Sequence, residues 1–139
     1  MAYWLFKSEP NTWSWENQVA KAEKGEEWDG VRNYQARNNM RAMKVGDLGF
    51  FYHSIDEKRI VGVVKVIAEA NPDSTDGTGK WECVDIAAVG PFPEPVTLDH
   101  IKNDPKTEEM ILAKNSRLSV QPVSKAEWTY ICKLGKYAG

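Results

Sequence analysis

The chain has 139 residues, 42% of them hydrophobic and 27% charged, with a net charge of −2. This length can bury a core without staples, and the balance is that of an ordinary globular protein. It excludes a protein that coats nucleic acid through bulk positive charge, and no apolar run approaches the ~18–20 residues of a membrane span. The N-terminus shows no signal-peptide pattern. The expectation is one domain over 1–139 inside the cell, cytoplasmic if bacterial and nuclear if eukaryotic.

In chain order, the apolar run at 3–6 predicts a buried strand, ended by Lys7, Ser8, Glu9 and Pro10. Ser14 can cap a helix that places Trp15, Val19 and Ala22 on one face, with Gly25 closing it. A second helix starts near Tyr34, with Ala36, Met40 and Met43 as its inner stripe and Arg37, Arg41 and Lys44 as an outer one. An aromatic strand follows at 48–54. A polar turn then leads to a longer strand over 60–70. The segment 72–80 reads as a loop and 81–86 as a strand, while Pro91, Pro93 and Pro95 mark an extended connector. Short helices are expected near 97–101 and 107–113, then a last strand over 117–122. Ser124 and Glu127 form a capping box opening a final helix through Leu134. Strands joined by both hairpins and helices predict an α+β fold, with a mixed or antiparallel sheet of five to six strands curled into a small barrel.

Cys83 and Cys132 lie far apart, and His53 and His100 have no ligand spacing, so no metal or cofactor site is expected. Chemistry concentrates instead at 28–38. There Trp28, Arg32, Asn33, Tyr34, Gln35, Arg37 and Asn38 crowd into eleven residues with one acid, Asp29. Aromatic faces stack on flat ligands, amides read donor and acceptor edges, and guanidinium forks take phosphates. From Gly30 to Gly46 there is no acidic residue, while Arg32, Arg37, Arg41 and Lys44 supply four positive charges. The combination predicts a site for a nucleobase and its phosphate.

Each element also has a plainer explanation. Trp4, Trp15 and Trp128 sit on predicted apolar faces and read as core; Trp13 reads as a hydrophobic staple, and Trp81 is open between the two roles. Asn33 can be an ordinary helix cap. His53 and Ser54 alternate to opposite sides of a strand, which argues against a hydrolase triad and leaves His53 as a hydrogen-bonding group on a pocket wall. Lys7, Ser8 and Glu9 can bind a ligand, form a solvated loop, or let Lys7 and Glu9 act as an acid–base pair. Arg117, Ser119 and Gln121 alternate along one predicted strand and should share a face, either solvent or the floor of a polar site.

The runs Tyr3 to Pro10, Trp28 to Asn38, Phe50 to Ser54 and Arg117 to Pro122 together resemble the EVE domain, in order and over about Tyr3 to Leu134. The resemblance implies a PUA-like barrel decorated with helices, related to the YTH, ASCH and PUA domains. It also implies a pocket for a flipped, modified (for instance methylated) base of DNA or RNA. Lys7 and Ser8 match the lysine-serine pair beside the YTH cage, and Trp28 resembles a cage wall. Arg32, Asn33, Tyr34, Arg37, Asn38, His53, Trp81, Arg117, Ser119 and Gln121 would surround the cavity. Where the family often has Tyr-Pro-Asp, this chain has Asn71-Pro72-Asp73, which implies one aromatic fewer at the rim. The expected function is therefore a non-catalytic nucleic-acid reader without cofactor, metal or membrane partner. The alternative is an ASCH-like amidohydrolase acting on a modified nucleoside through Lys7 and Glu9.

Overall fold

A computed structural model describes residues 1–114 and 117–137. Its strands are β1 (Tyr3–Ser8), β2 (Glu26–Glu27), β3 (Leu48–His53), β4 (Arg59–Pro72), β5 (Glu82–Thr97) and β6 (Val120–Val123). The helices are α1 (Trp15–Ala20), α2 (Tyr34–Arg41), α3 (Leu98–Asn103), α4 (Ile111–Lys114) and α5 (Lys125–Leu134). The strands form one sheet in the order β2-β5-β4-β3-β1-β6. β1 and β3 run parallel, and the other pairs are antiparallel. The mixed α+β architecture is as expected, but β2 and β6 remain edges, so the pairing does not close the sheet into a barrel. Among the described residues no helix is long and apolar enough to cross a membrane.

Strand alternation divides the core between the two sides of the sheet. Trp4, Phe6 and Phe51 join Trp15, Trp28 and Met40 in the cluster under α1 and α2. Leu5, Phe50 and Tyr52 join Ile101, Leu112 and Trp128 in the cluster under α3, α4 and α5. Trp128 stacks on Phe50 with ring centroids 4.0 Å apart. Trp15 lies against Gly62, where an added Cβ would come within 2.5 Å of the indole.

Two predicted boundaries change for reasons of pairing. The strand expected at 81–86 begins at Glu82 and continues through the three prolines to Thr97. Prolines are tolerated in strands where no ladder donor is needed. β2 pairs with β5 only at Asp85 and Ile86, so the proline stretch has β4 on one side and no strand on the other. At the C-terminal end the strand is only Val120–Val123. Arg117 lies in a turn and Ser119 in a bend, so Arg117, Ser119 and Gln121 do not alternate along one strand. The helix expected at 107–113 is shorter, Ile111–Lys114, and ends one residue further on.

α1 carries the clearest correction. Ser14 caps it as expected, accepting from the Asn17 amide at 3.1 Å. Yet Val19 is 48% exposed, whereas Gln18 is fully buried. Gln18 Nε2 donates to the Ile86 carbonyl at 3.0 Å, and its Oε1 accepts from Trp13 Nε1 at 2.9 Å. With both ends of the amide satisfied, burial carries no unpaired polar penalty. Gly25 then turns the chain at φ +66°, where a Cβ would meet the Ile86 carbonyl oxygen at 2.4 Å.

Candidate functional site

Four chain segments converge on a cleft of about 410 Å³ at the C-terminal end of β1. The strand end supplies Lys7, Ser8 and Glu9, and the following loop adds Thr12 and Trp13. The segment after β2 supplies Trp28 through Arg32, and the bend before β6 supplies Ser119. The Lys7 amide donates to the Ser119 carbonyl at 2.8 Å, which ties the last segment to the first. Ser8 donates its hydroxyl to the Trp13 carbonyl, fixing the loop that carries Trp13.

Trp28 is both wall and core. It is 8% exposed, and its ring meets Phe6 and Phe51 edge to face at 5.4 and 5.7 Å. Its amide donates to the Val84 carbonyl at 2.8 Å. The chain leaves it through Gly30 at φ +77°, a conformation glycine adopts without a Cβ penalty. Buried Asp73 locks that exit, accepting from the Gly30 amide at 2.9 Å and Arg32 Nη1 at 3.1 Å. It also accepts from the Thr75 amide at 2.8 Å. Burial alone would raise the Asp73 pKa, but the donors from Thr75, Gly30 and Arg32 hold it below the ordinary carboxylate value.

The remaining candidates fall outside the cleft lining. His53 is buried; its Nε2 accepts from the Trp15 amide at 3.0 Å, which leaves the ring proton on Nδ1, facing Glu57 Oε1 at 3.0 Å. That pins the start of α1 to β3 and is not a pocket-wall role. The Ser54 hydroxyl donates to the Ser8 carbonyl, so His53 and Ser54 serve separate backbone contacts. Gln121 is buried and donates to the Leu118 carbonyl at 2.7 Å. Asn33 is the N-cap of α2, accepting from the Ala36 amide at 2.9 Å. Arg117 and Asn38 are exposed. Tyr34, Arg37 and Trp81 group together on the outside of the cleft, next to Arg32.

Lys7 needs closer placement. It sits in parallel register with Tyr52, so alternation sends its side chain to the Leu5 and Tyr52 side of the sheet. Its Nζ is 5.8 Å from the Tyr52 ring centroid, and burial lowers its pKa. Asp29, exposed at the cleft rim, has a pKa raised by partial desolvation first and then by repulsion from Asp73, Glu27 and Glu26.

Sequence reasoning missed Asp29 and Asp73 as parts of the site and read Trp13 only as a staple. The Asn-Pro-Asp step at 71–73 was visible as a motif, but nothing local in it shows that its aspartate reaches back 43 residues to Gly30. Among the described residues no group of histidine, cysteine, aspartate and glutamate has metal-holding geometry.

The chain is an α+β domain whose open mixed sheet carries a tryptophan-walled cleft at the end of β1, and similarity to known proteins narrows the class. The EVE domain family model matches residues 2–134, and the chain belongs to that family. It is 35% identical to mouse thymocyte nuclear protein 1, over 95% of this chain and 73% of that protein. The structure resembles protein Atu2648 from Agrobacterium tumefaciens, with a TM-score of 0.97 and 58% identity, covering 100% of this chain and 96% of the other. It also resembles human THYN1 in complex with DNA containing 5-methylcytosine, with a TM-score of 0.90 and 33% identity over all of both chains. A likeness in fold alone extends to the YTH domain of Zygosaccharomyces rouxii MRB1, with a TM-score of 0.60 and 16% identity, covering 99% of this chain and 88% of the other.

Proposed function

We propose that residues 1–139 act as one non-catalytic domain that reads a modified base of DNA or RNA, turned out of its stack into the cleft. The observation that carries this is the cleft itself: about 410 Å³, walled by Trp13 and Trp28, with hydrogen-bonding groups between them. That volume lies in the range of pockets that enclose a small planar ligand, and no duplex fits it. Extruding a base costs a few kcal/mol, least when it is damaged, mismatched or already single-stranded. Stacking against tryptophan returns ~1–3 kcal/mol per base. The complex of human THYN1 with 5-methylcytosine DNA supports the ligand class.

Asp29 is the group we assign to the base edge. An ionised carboxylate accepts from an exocyclic amine, as on cytosine N4, and has nothing to donate to a carbonyl at the same place. The Thr12 and Ser119 hydroxyls can serve either partner. Ser8, Trp28 and Arg32 complete the contact set, with Lys7 contributing the strand end. A nucleic-acid ligand goes with a location inside the cell.

The amidohydrolase alternative needs Lys7 and Glu9 to exchange protons at one reacting atom. Lys7 and Glu9 both line the cleft, so turnover decides between the two readings. The test is a binding screen of single-stranded oligonucleotides carrying a panel of modified bases, with the nucleosides weighed before and after incubation. At least tenfold preference for one modified base, with unchanged mass, supports the reader. A product that disappears in Lys7→Ala and Glu9→Gln would replace it with the enzyme.

A further inference from the structure

Outside the cleft, Tyr34 and Trp81 stack with centroids 4.9 Å apart and planes at 25°. Arg37 Cζ is 4.9 Å from the Tyr34 centroid and 5.4 Å from that of Trp81. Three such distances make a nearly equilateral triangle, so Arg37 flanks the stacked pair and does not cover the outer face of Tyr34. Tyr34 is accordingly 63% exposed, the most exposed aromatic side chain among the exposed large hydrophobics. Arg37 Nη1 donates to the Lys80 carbonyl at 3.1 Å and Nη2 to Asn38 Oδ1 at 3.3 Å. These contacts position the guanidinium but do not cancel its charge, whereas Arg32 pairs with Asp73 and Arg41 with Glu82.

Arg32 joins this cluster to the cleft. It lines the cleft, and its Cζ is 5.5 Å from the Trp81 centroid. The loop bearing Trp81 is anchored at the same point, because the Asp73 amide donates to the Trp81 carbonyl at 3.0 Å. An exposed aromatic face beside a guanidinium with no carboxylate partner among the described residues is a poor solution for core packing. It suits a base that stacks and a phosphate that follows it.

We propose that Tyr34, Trp81 and Arg37 form a second subsite, which stacks the base of the nucleotide adjacent to the one in the cleft and holds its phosphate. It rests on the reading of the cleft as a nucleobase site. It reads no base edge, since a ring face stacks on any base, so it adds affinity without sequence preference. It also accounts for the division of the 28–38 segment: Trp28 and Arg32 face the flipped base, and Tyr34 and Arg37 face its neighbour.

The test compares three probes: 5-methyl-2′-deoxycytidine, a single-stranded pentanucleotide with 5-methylcytosine between thymines, and the same strand with abasic flanks. Wild type should bind the thymine-flanked strand at least about tenfold tighter than the other two. Tyr34→Ala should lose that gain while keeping nucleoside affinity and melting temperature, and Tyr34→Phe should retain it. Arg37→Ala should flatten the slope of log K against log salt by somewhat less than one unit, since about 0.7 is expected per phosphate on single strands. Equal affinity of Tyr34→Ala and wild type for the thymine-flanked strand overturns the subsite alone, as does equal binding of nucleoside and strand. A wild-type protein that binds neither these probes nor any strand of the modified-base panel overturns the cleft reading and this proposal together.

Discussion

Asp73 accepts hydrogen bonds from Gly30, Arg32 and Thr75 while buried, and so holds the tryptophan wall and the loop of Trp81 in one arrangement. Asp73→Ala takes the acceptor from the Gly30 and Thr75 amides and removes the ion pair with Arg32. Charge-assisted bonds contribute about 1.5–3 kcal/mol, so urea unfolding should show a stability loss of about 2 kcal/mol together with weakened binding. Asp29 should behave in the opposite way. Its folded-state pKa is raised, so the ionised form is the disfavoured one and its contribution turns unfavourable as pH rises through the ordinary value of 3.8. Asp29→Asn is expected to raise the unfolding midpoint at pH 7 and to weaken binding of an amine-bearing base. Asp29 is exposed, so solvent screening keeps the gain small, and a lower midpoint would contradict the assigned repulsion. Trp28 cannot be treated as a simple contact, because Phe6 and Phe51 pack on it. Trp28→Ala should cost about 3–5 kcal/mol of stability, so a binding loss in that variant would not isolate stacking. Trp28→Phe keeps a ring in place and is the variant to compare by binding and by melting temperature.

The helix α1 shows how an element can contradict its own periodicity. An apolar stripe of Trp15, Val19 and Ala22 is the natural reading, yet the protein buries Trp15 and Gln18 and leaves Val19 in solvent. Gln18→Ala removes the donor to the Ile86 carbonyl and the acceptor for Trp13, so it should cost about 1–3 kcal/mol in chemical denaturation. Val19→Ala should stay within about 0.5 kcal/mol. Equal effects would mean the conventional stripe is the buried one after all. The same helix depends on the flat contact of Trp15 with Gly62. Gly62→Ala drives a methyl into the indole, with an expected cost of about 1–3 kcal/mol.

For the molecule as a whole, acid sensitivity follows from two buried carboxylates. Asp47 accepts from Trp4 Nε1 at 3.0 Å and from the amides of Lys44 and Ala2 at 3.0 and 3.2 Å. Burial would raise its pKa, but these donors hold it below the ordinary 3.8, as the donors to Asp73 do there. A depressed folded-state value means the stabilisation is complete above the unfolded value and is lost as pH falls through the folded one. Stability measured by denaturant between pH 6 and pH 2 should therefore fall below about pH 4, and Asp47→Asn should flatten that fall. A pH-independent midpoint across the window would refute the assignment.

How much of this was legible in the residues depends on the range of the forces involved. Alternating apolar positions in β1 and β3, the caps at Ser14, Asn33 and Ser124, and the crowded segment 28–38 are local patterns. From them the sequence alone determined the α+β class, most elements, the EVE resemblance and the segment that lines the cleft. Closure of the sheet is a different kind of property, since it depends on which edges find partners; here β2 and β6 find none, and the barrel stays open. The assignment of individual site residues is likewise non-local. Whether His53 faces a ligand or caps α1 is decided by a backbone amide 38 residues away. Whether Tyr34 lines the cleft or stands outside it is decided by Gly30 at positive φ, the Asn33 cap and the arrival of Trp81 from a distant loop. Lys7 and Ser8 start on opposite sides of the sheet by strand alternation, yet both line the cleft at the strand end. Local chemistry named candidate residues for a nucleotide site, and long-range packing decided which of them share a cleft, because only the folded chain fixes the direction in which each side chain points.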